Sequence, residues 1–398
     1  MSNRWLVLSI FYISSILNYV DRQVLSTLSP LLREQLHFTV AQYGTMIGVF
    51  NALYAFSAPL AGYLLDRYGL HRGTTTAVAL WSLAGLARGF AFNFPSLLVT
   101  HSILGLFESA GIPSTAKASH RYLKPAERAF GPAISSAGLS IGGIGAATGL
   151  TWIALRFGWQ WAFIVPGALG LLWIPLWIWV ARHEQVPEGD PATVAPRIDF
   201  HQMLRDPQLW GFAAGNFFAM TIFALWTFWT TEFFVKTYSL SLAQTNYGFA
   251  WMPAAISVLG AMFGAWLSRR LTLSGLTPEN ARRRTVFFMA LGMTITAAVP
   301  FMPTAGWAAL LISLSYFCAQ AQGVNFYTLP VDAYGQSRAA FAVALLTMAF
   351  GVLNLIMGPL VGRIASTHGF APVCYVCAFC PLIGYAIITL TRRREATA

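Results

Sequence analysis

Apolar stretches long enough to cross a membrane follow one another along almost the whole chain, and that succession fixes what it can fold into. Only 10% of its 398 residues are charged and its mean hydropathy is +0.58. An ordinary soluble domain carries about 25% charged residues. A soluble globule of this composition would expose large apolar patches and aggregate, whereas a helix crossing a bilayer needs about 20 mostly apolar residues. We draw spans at 5–35, 40–65, 73–93, 95–119, 129–156, 159–182, 208–236, 244–268, 284–302, 304–328, 339–364 and 371–391. The fold class expected is an all-α membrane protein of 12 transmembrane helices. The one long polar stretch, 183–207, divides the chain into an N-terminal six-helix bundle (1–182) and a C-terminal one (208–398), with the stretch itself a cytoplasmic linker. The start, MSNRWLVLSIFYISS, resembles a signal peptide, but no small-residue cleavage site follows, so we read it as the first span.

The net charge of +11 is a matter of topology. Of the 25 Lys and Arg residues, 18 fall on one side of this span arrangement, four on the other and three within spans. That is the positive-inside pattern, which puts both termini in the cytoplasm of a cell with an inner membrane. No single face or stripe gathers the charge, so nucleic acid is not a partner; the bilayer is. Cys374, Cys377 and Cys380 are spaced C-x2-C-x2-C, a metal-like spacing. They lie in an apolar run where small soft hydrophobes are expected, so we assign no metal.

The two halves echo each other. Gly62-x3-Asp66-Arg67 after the second span is matched by Gly264-x3-Ser268-Arg269 after the eighth, 202 residues on. Arg128-Ala129 and Arg338-Ala339 are 210 apart, and Gly158 and Gly369 are 211 apart. A steady offset of half the chain marks a parallel duplication, with a binding site between the halves at mid-membrane. The segment with Gly62, Asp66, Arg67, Gly69 and Arg72 resembles the conformational loop motif G-x3-D-R-x-G-x-R-[RK] of the major facilitator superfamily, with His71 at one of its basic positions. The resemblance implies the major facilitator fold of two pseudo-symmetric six-helix bundles.

Ionisable groups inside spans are costly and stand first as functional candidates. Asp21 and Arg22 are adjacent in the first span, about 100° apart around the helix. Arg22 offers a planar fork for a carboxylate; Asp21 can carry a proton, or the two can form a structural ion pair. Glu108 and His101, seven residues apart in the fourth span, share a face and make a proton-handling pair. Arg88 and Lys117 sit near span ends, where snorkelling accounts for them. Tyr54, Gln322, Asn325 and Asn354 offer hydroxyl and amide contacts to a substrate, or serve as interhelical hydrogen-bonding groups. The fifth-span glycines Gly138, Gly142, Gly145 and Gly149 serve close packing; without G-x4-G-K-[ST] there is no phosphate loop and no ATP-driven step.

At these residues the chain resembles the anion:cation symporters of the superfamily, above all hexuronate and galactonate transporters. The likeness rests on Asn18-Tyr19-Val20-Asp21-Arg22, on Tyr54, on Leu104-Gly105-Leu106-Phe107-Glu108, on Pro113 to Lys117, on Glu127-Arg128-Ala129 and on Phe249-Ala250-Trp251-Met252-Pro253. It implies that Arg22 grips a substrate carboxylate, that Asp21 and Glu108 carry protons, that Tyr19 and Tyr54 line the pocket and that Asn354 adds a contact. Two departures count. His101 stands where the family often has arginine, and Leu139 stands where galactonate transporters have glutamine. Both leave room for a less polar carboxylate, and His101 brings a group that titrates near neutral pH. The expected function is proton-coupled symport of a small organic anion, a monocarboxylate such as a sugar acid, by a monomer using no cofactor beyond the proton gradient. Anion exchange or proton-driven efflux is the alternative. A membrane-embedded enzyme or a receptor is a distant one, since no catalytic motif or signalling domain is apparent.

Overall fold

The computed structural model describes residues 4–123, 130–182 and 203–392. The described residues are helical, and they supply the twelve spans. The first is Arg4–Leu36. The second and third, 40–68 and 70–88, run on from one another across a break at Gly69. The fourth is Phe94–Glu108 continued by Gly111–Tyr122, the fifth runs from Phe130 to Phe157 through a π-helical turn at Ala146–Leu150, and the sixth is Trp159–Arg182. The seventh runs from Pro207 to Tyr238 in three segments, the eighth from Leu242 to Leu273 and the ninth from Pro278 to Phe301. The tenth and eleventh lie in the helical stretch Ala305–His368, and the twelfth is Ala371–Leu390. Eight of these segments qualify as membrane spans on length and composition alone. The first, third and tenth fall short on composition and the fourth is broken into segments of 15 and 12 residues; these four hold Asp21, Arg22, Arg88, His101, Glu108 and Gln322.

Local chemistry sets several of the boundaries. Thr39 and Gln42 cap the second span reciprocally, Asn93 and Ser96 the fourth, and Ser241 and Gln244 the eighth. Helix ends also report the duplication. Gly69 and Gly275 close the second and eighth spans with φ of 81° and 102°, and Gly158 and Gly369 close the fifth and eleventh with φ of 102° and 74°. A left-handed residue favours glycine, so the same turn is built twice at equivalent places. The Arg128-Ala129 correspondence and most of the linker, 183–202, lie outside the described residues.

The halves meet at the end of the bundle away from the termini. There the second span lies against the eleventh with almost nothing between the backbones. A Cβ on Gly44 would fall 2.0 Å from the Gly358 carbonyl oxygen, and one on Gly362 would fall 2.5 Å from that of Val40. At the same end Arg33 donates to both oxygens of Glu232, at 2.9 and 3.0 Å, joining the first span to the seventh. The Tyr43 hydroxyl donates to the Phe228 carbonyl and its ring packs edge-on against Trp229 at 5.0 Å. Asn246 bridges the halves again, donating to the Thr27 carbonyl and to Thr151 Oγ1, both at 2.9 Å.

Candidate functional site

Tyr19 and Arg22 are three residues apart, so they share one face of the first span. That face meets the fifth span where glycine clears the way. A Cβ on Gly142 would lie 2.7 Å from Tyr19 Cβ, and one on Gly138 would touch the Tyr19 ring at 3.5 Å. Phe50 and Tyr54, one helical turn apart on the second span, stack at 6.3 Å between centroids. The Arg22 guanidinium lies 4.1 Å from the Tyr54 centroid and within 6 Å of those of Tyr19 (5.7 Å) and Phe50 (5.9 Å). Rings around a desolvated cation stabilise it by cation–π attraction.

Arg22 is held on its inner side by Glu108. Its Nε donates to Glu108 Oε2 at 2.9 Å, with the carboxylate fully buried and the arginine side chain 20% exposed. Among the described residues the other carboxylate oxygen of Glu108 has no hydrogen-bond partner, nor has the Tyr54 hydroxyl. Arg22, Tyr19 and Tyr54 line a cavity of about 370 Å³ between the halves. Gln23, Phe50, Asn51 and Leu139 are prominent in the rest of the first-half wall, and Phe223, Thr227, Gln320, Tyr327, Thr347 and Phe350 in the opposite one.

Asp21 faces away from this cavity. Its carboxylate accepts from Arg88 Nη2 at 3.0 Å, its backbone carbonyl accepts from Arg88 Nη1 at 3.1 Å, and neither side chain is more than 1% exposed. Asp21 and Arg22 therefore do not pair with each other; each finds its partner on another span. Arg88 is completely buried beside the Phe163 ring, its guanidinium 4.7 Å from the centroid, and does not reach a membrane surface. The snorkelling expectation is thus corrected: Gly85 and Gly89 flank Arg88 and let the sixth span close over it, since Cβ atoms there would meet Gly167 at 3.7 Å and Ile164 at 2.7 Å. His101 Nδ1 lies 3.5 Å from Arg88 Nη1, and the imidazole stacks on Phe50 at 4.6 Å. Phe50 thus separates the Arg88–His101 group from the Arg22 group, touching both.

The second-half amides named from sequence do not line the cavity. Gln322 donates to the Val286 carbonyl at 3.3 Å, Asn325 to those of Gly264 and Ala321 at 2.9 Å, and Asn354 to that of Phe350 at 2.9 Å. All three are buried and serve helix packing. Gln320, two residues from Gln322, is the amide that reaches the cavity. In the loop motif, Asp66 accepts from Lys117 Nζ at 2.9 Å, and Lys117 also donates to the Leu65 carbonyl at 2.8 Å. Lys117 is therefore a partner of the motif. Arg67 lies near the Tyr68 ring at 5.7 Å, Arg72 is exposed and Gly62 has open space beside it. Among the described residues no three His, Cys, Asp or Glu side chains gather as metal ligands, and Cys374, Cys377 and Cys380 are free thiols.

Comparison with known proteins places this architecture. The chain is 28% identical to the hexuronate transporter of Escherichia coli (strain K12) over 402 aligned residues, covering 97% of this chain and 93% of that one. It is 31% identical to the galacturonate transporter of Dickeya chrysanthemi over 280 residues, covering 66% of this chain and 81% of that one. It is 24% identical to the D-galactonate transporter of Escherichia coli O6:H1 (strain CFT073), covering 96% and 94%. In fold it matches a bacterial homolog of the human lysosomal transporter Spinster in an inward-facing and occupied conformation. The TM-score is 0.75 at 16% identity, over 97% of this chain and 96% of that one. The Major Facilitator Superfamily profile matches residues 11–351, and this chain, a membrane transporter and not an enzyme, belongs to that family.

Proposed function

We propose that this chain is a proton-coupled symporter of a small organic anion, working by alternating access without a cofactor, as a monomer in the inner membrane with both termini in the cytoplasm. One observation carries the reading: the cavity-lining Arg22 is held by the buried carboxylate of Glu108, 2.9 Å away. While Glu108 is ionised, it neutralises Arg22 and competes with an incoming carboxylate. A proton on Glu108 removes that competition and leaves Arg22 as a cation facing the cavity. Anion and proton then bind together, and the site crosses with its charges compensated, which limits the desolvation cost of the closed state. Asp21, paired with Arg88, is a second acceptor for a proton, and His101 beside Arg88 completes that group. With the termini cytoplasmic, the seal around Gly44 and Gly358 closes the periplasmic end.

The relatives named as hexuronate, galacturonate and galactonate transporters agree with an anionic cargo. The test is uptake of labelled carboxylates into proteoliposomes, with and without an inward proton gradient, for wild type and Arg22→Ala. Gradient-stimulated uptake lost in the variant is the expected result. Uptake indifferent to both the gradient and Arg22 would falsify the assignment and favour exchange or efflux.

A further inference from the structure

The wall of the cavity bears on the kind of acid it takes. Both halves present rings to it: Phe50 and Tyr54 on one side, Phe223, Tyr327 and Phe350 on the other. Phe223 and Phe350 lie 5.7 Å apart at 55°, and Phe223 also stacks on Tyr316 at 5.5 Å. Among the described residues Arg22 is the single charged one lining the space. At 139 the wall carries leucine.

Four of the eight uncharged polar side chains in the wall are already engaged by the protein. Asn51 donates to the Ile47 carbonyl at 2.9 Å, Thr347 to that of Val343 at 3.1 Å, and Thr227 shares a 3.0 Å hydrogen bond with Tyr316. Gln23 Oε1 accepts from Ser26 at 2.9 Å. A polyhydroxylated acid gives up water at every hydroxyl on entering such a space and needs a protein partner for each. Outside those four the wall offers the Tyr19, Tyr54 and Tyr327 hydroxyls, each carried on a ring, and the Gln320 amide. An aromatic ring needs none, and gains from offset or edge contacts with other rings.

Resting on the anion-symport reading above, we propose that the cargo is an aromatic monocarboxylate of the phenylacetate or phenylpropanoate kind. Its carboxylate meets Arg22, and its ring lies between the Phe50–Tyr54 wall and the Phe223–Phe350 wall. A volume of about 370 Å³ is within the range of small-molecule sites and accommodates a single ring with a short acid chain.

The experiment uses full-length protein in proteoliposomes under an inward proton gradient. Labelled phenylacetate and 3-phenylpropanoate are compared with glucuronate, galacturonate and acetate at matched concentrations, each also as a competitor of the others. The expected result is uptake of the aromatic acids at least about tenfold more efficient in kcat/KM, with Phe350→Leu raising their KM by up to about tenfold, the scale of one ring–ring contact. Leu139→Gln, a change of similar volume, is the second variant and is expected to narrow the preference. Hexuronate or acetate uptake that aromatic acids neither share nor compete with overturns the proposal and leaves anion symport standing. No gradient-driven uptake of any acid overturns both.

Discussion

Arg88 and Asp21, 67 positions apart in sequence, form an ion pair at 3.0 Å in which neither side chain is more than 1% exposed. The pair ties the third span to the first immediately behind the cavity-lining Arg22. His101 lies beside Arg88 at 3.5 Å. The cation next to Asp21 is therefore supplied from the third span, and the neighbouring imidazole needs to carry no charge for Asp21 to be paired.

Removing one member of this pair strands a charge in the protein interior. Arg88→Gln and Asp21→Asn should each lower stability by about 3–5 kcal/mol, and the double variant should recover a good part of the loss. Unfolding of the purified protein, read as a double-mutant cycle, measures the coupling directly. Equal and additive losses would mean that the two side chains are stabilised by their other neighbours.

Glu108→Gln keeps a hydrogen-bonding group beside Arg22 but removes the charge that competes with the substrate. Exchange of internal for external substrate should continue, while stimulation of uptake by an inward proton gradient should disappear. Counterflow and gradient-driven uptake, measured on the same proteoliposomes, separate the two. Gradient stimulation that survives in Glu108→Gln assigns the coupled proton to the Asp21 group instead.

The seal between the halves is open to steric test. Leucine at Gly44 would put side-chain carbon into the Gly358 carbonyl, where a Cβ alone already falls at 2.0 Å. Gly44→Leu should hold that end apart, and Glu232→Gln, which weakens the contact to Arg33, should shift the population in the same direction more weakly. Spin labels at the exposed position 37 and at position 239, beyond the ends of the first and seventh spans, should report a longer distance in both variants. An unchanged distance distribution in Gly44→Leu would show that the seam accommodates the side chain by local shifts.

The spans, the duplication and the residues around Arg22 are legible in the sequence because hydropathy and spacing along one helix determine them. Tyr19, Arg22, Tyr54 and Glu108 do come together, as their motifs imply. Which faces meet is a different matter. Positions two apart on a helix point about 200° from each other, so Gln322 and Gln320 look equivalent in a string of letters although only Gln320 reaches the cavity. Asn354 lies on the stripe of Thr347 and Phe350, but a turn further toward the sealed end, where its own helix takes up the amide. Arg88 looks like an interfacial cation because it stands near the end of a span. The signal that marks it as interior is its pair of flanking glycines, Gly85 and Gly89, which let a neighbouring helix close over the guanidinium. The partners of Asp21 and Arg22 come from spans whose rotation about their axes the sequence leaves open, so the adjacent charges read as a pair when they are not one.

The approach of Gly44 to Gly358 determines how this end of the molecule can come apart. Main-chain atoms in direct contact attract one another over a very short range, and a gap of an ångström forfeits much of that attraction. At the glycine contacts themselves there is no side chain to stretch and hold on while the seam widens. Partial separation therefore forfeits the contact without yet admitting a substrate, and half-parted arrangements should be sparsely populated. The transporter should pass abruptly between shut and parted at this end, like a latch that is either home or free. Its rate of passage should then depend on the few groups that grip across the seam, Arg33 with Glu232 and Tyr43 with Phe228, more than on the extent of apolar surface around it.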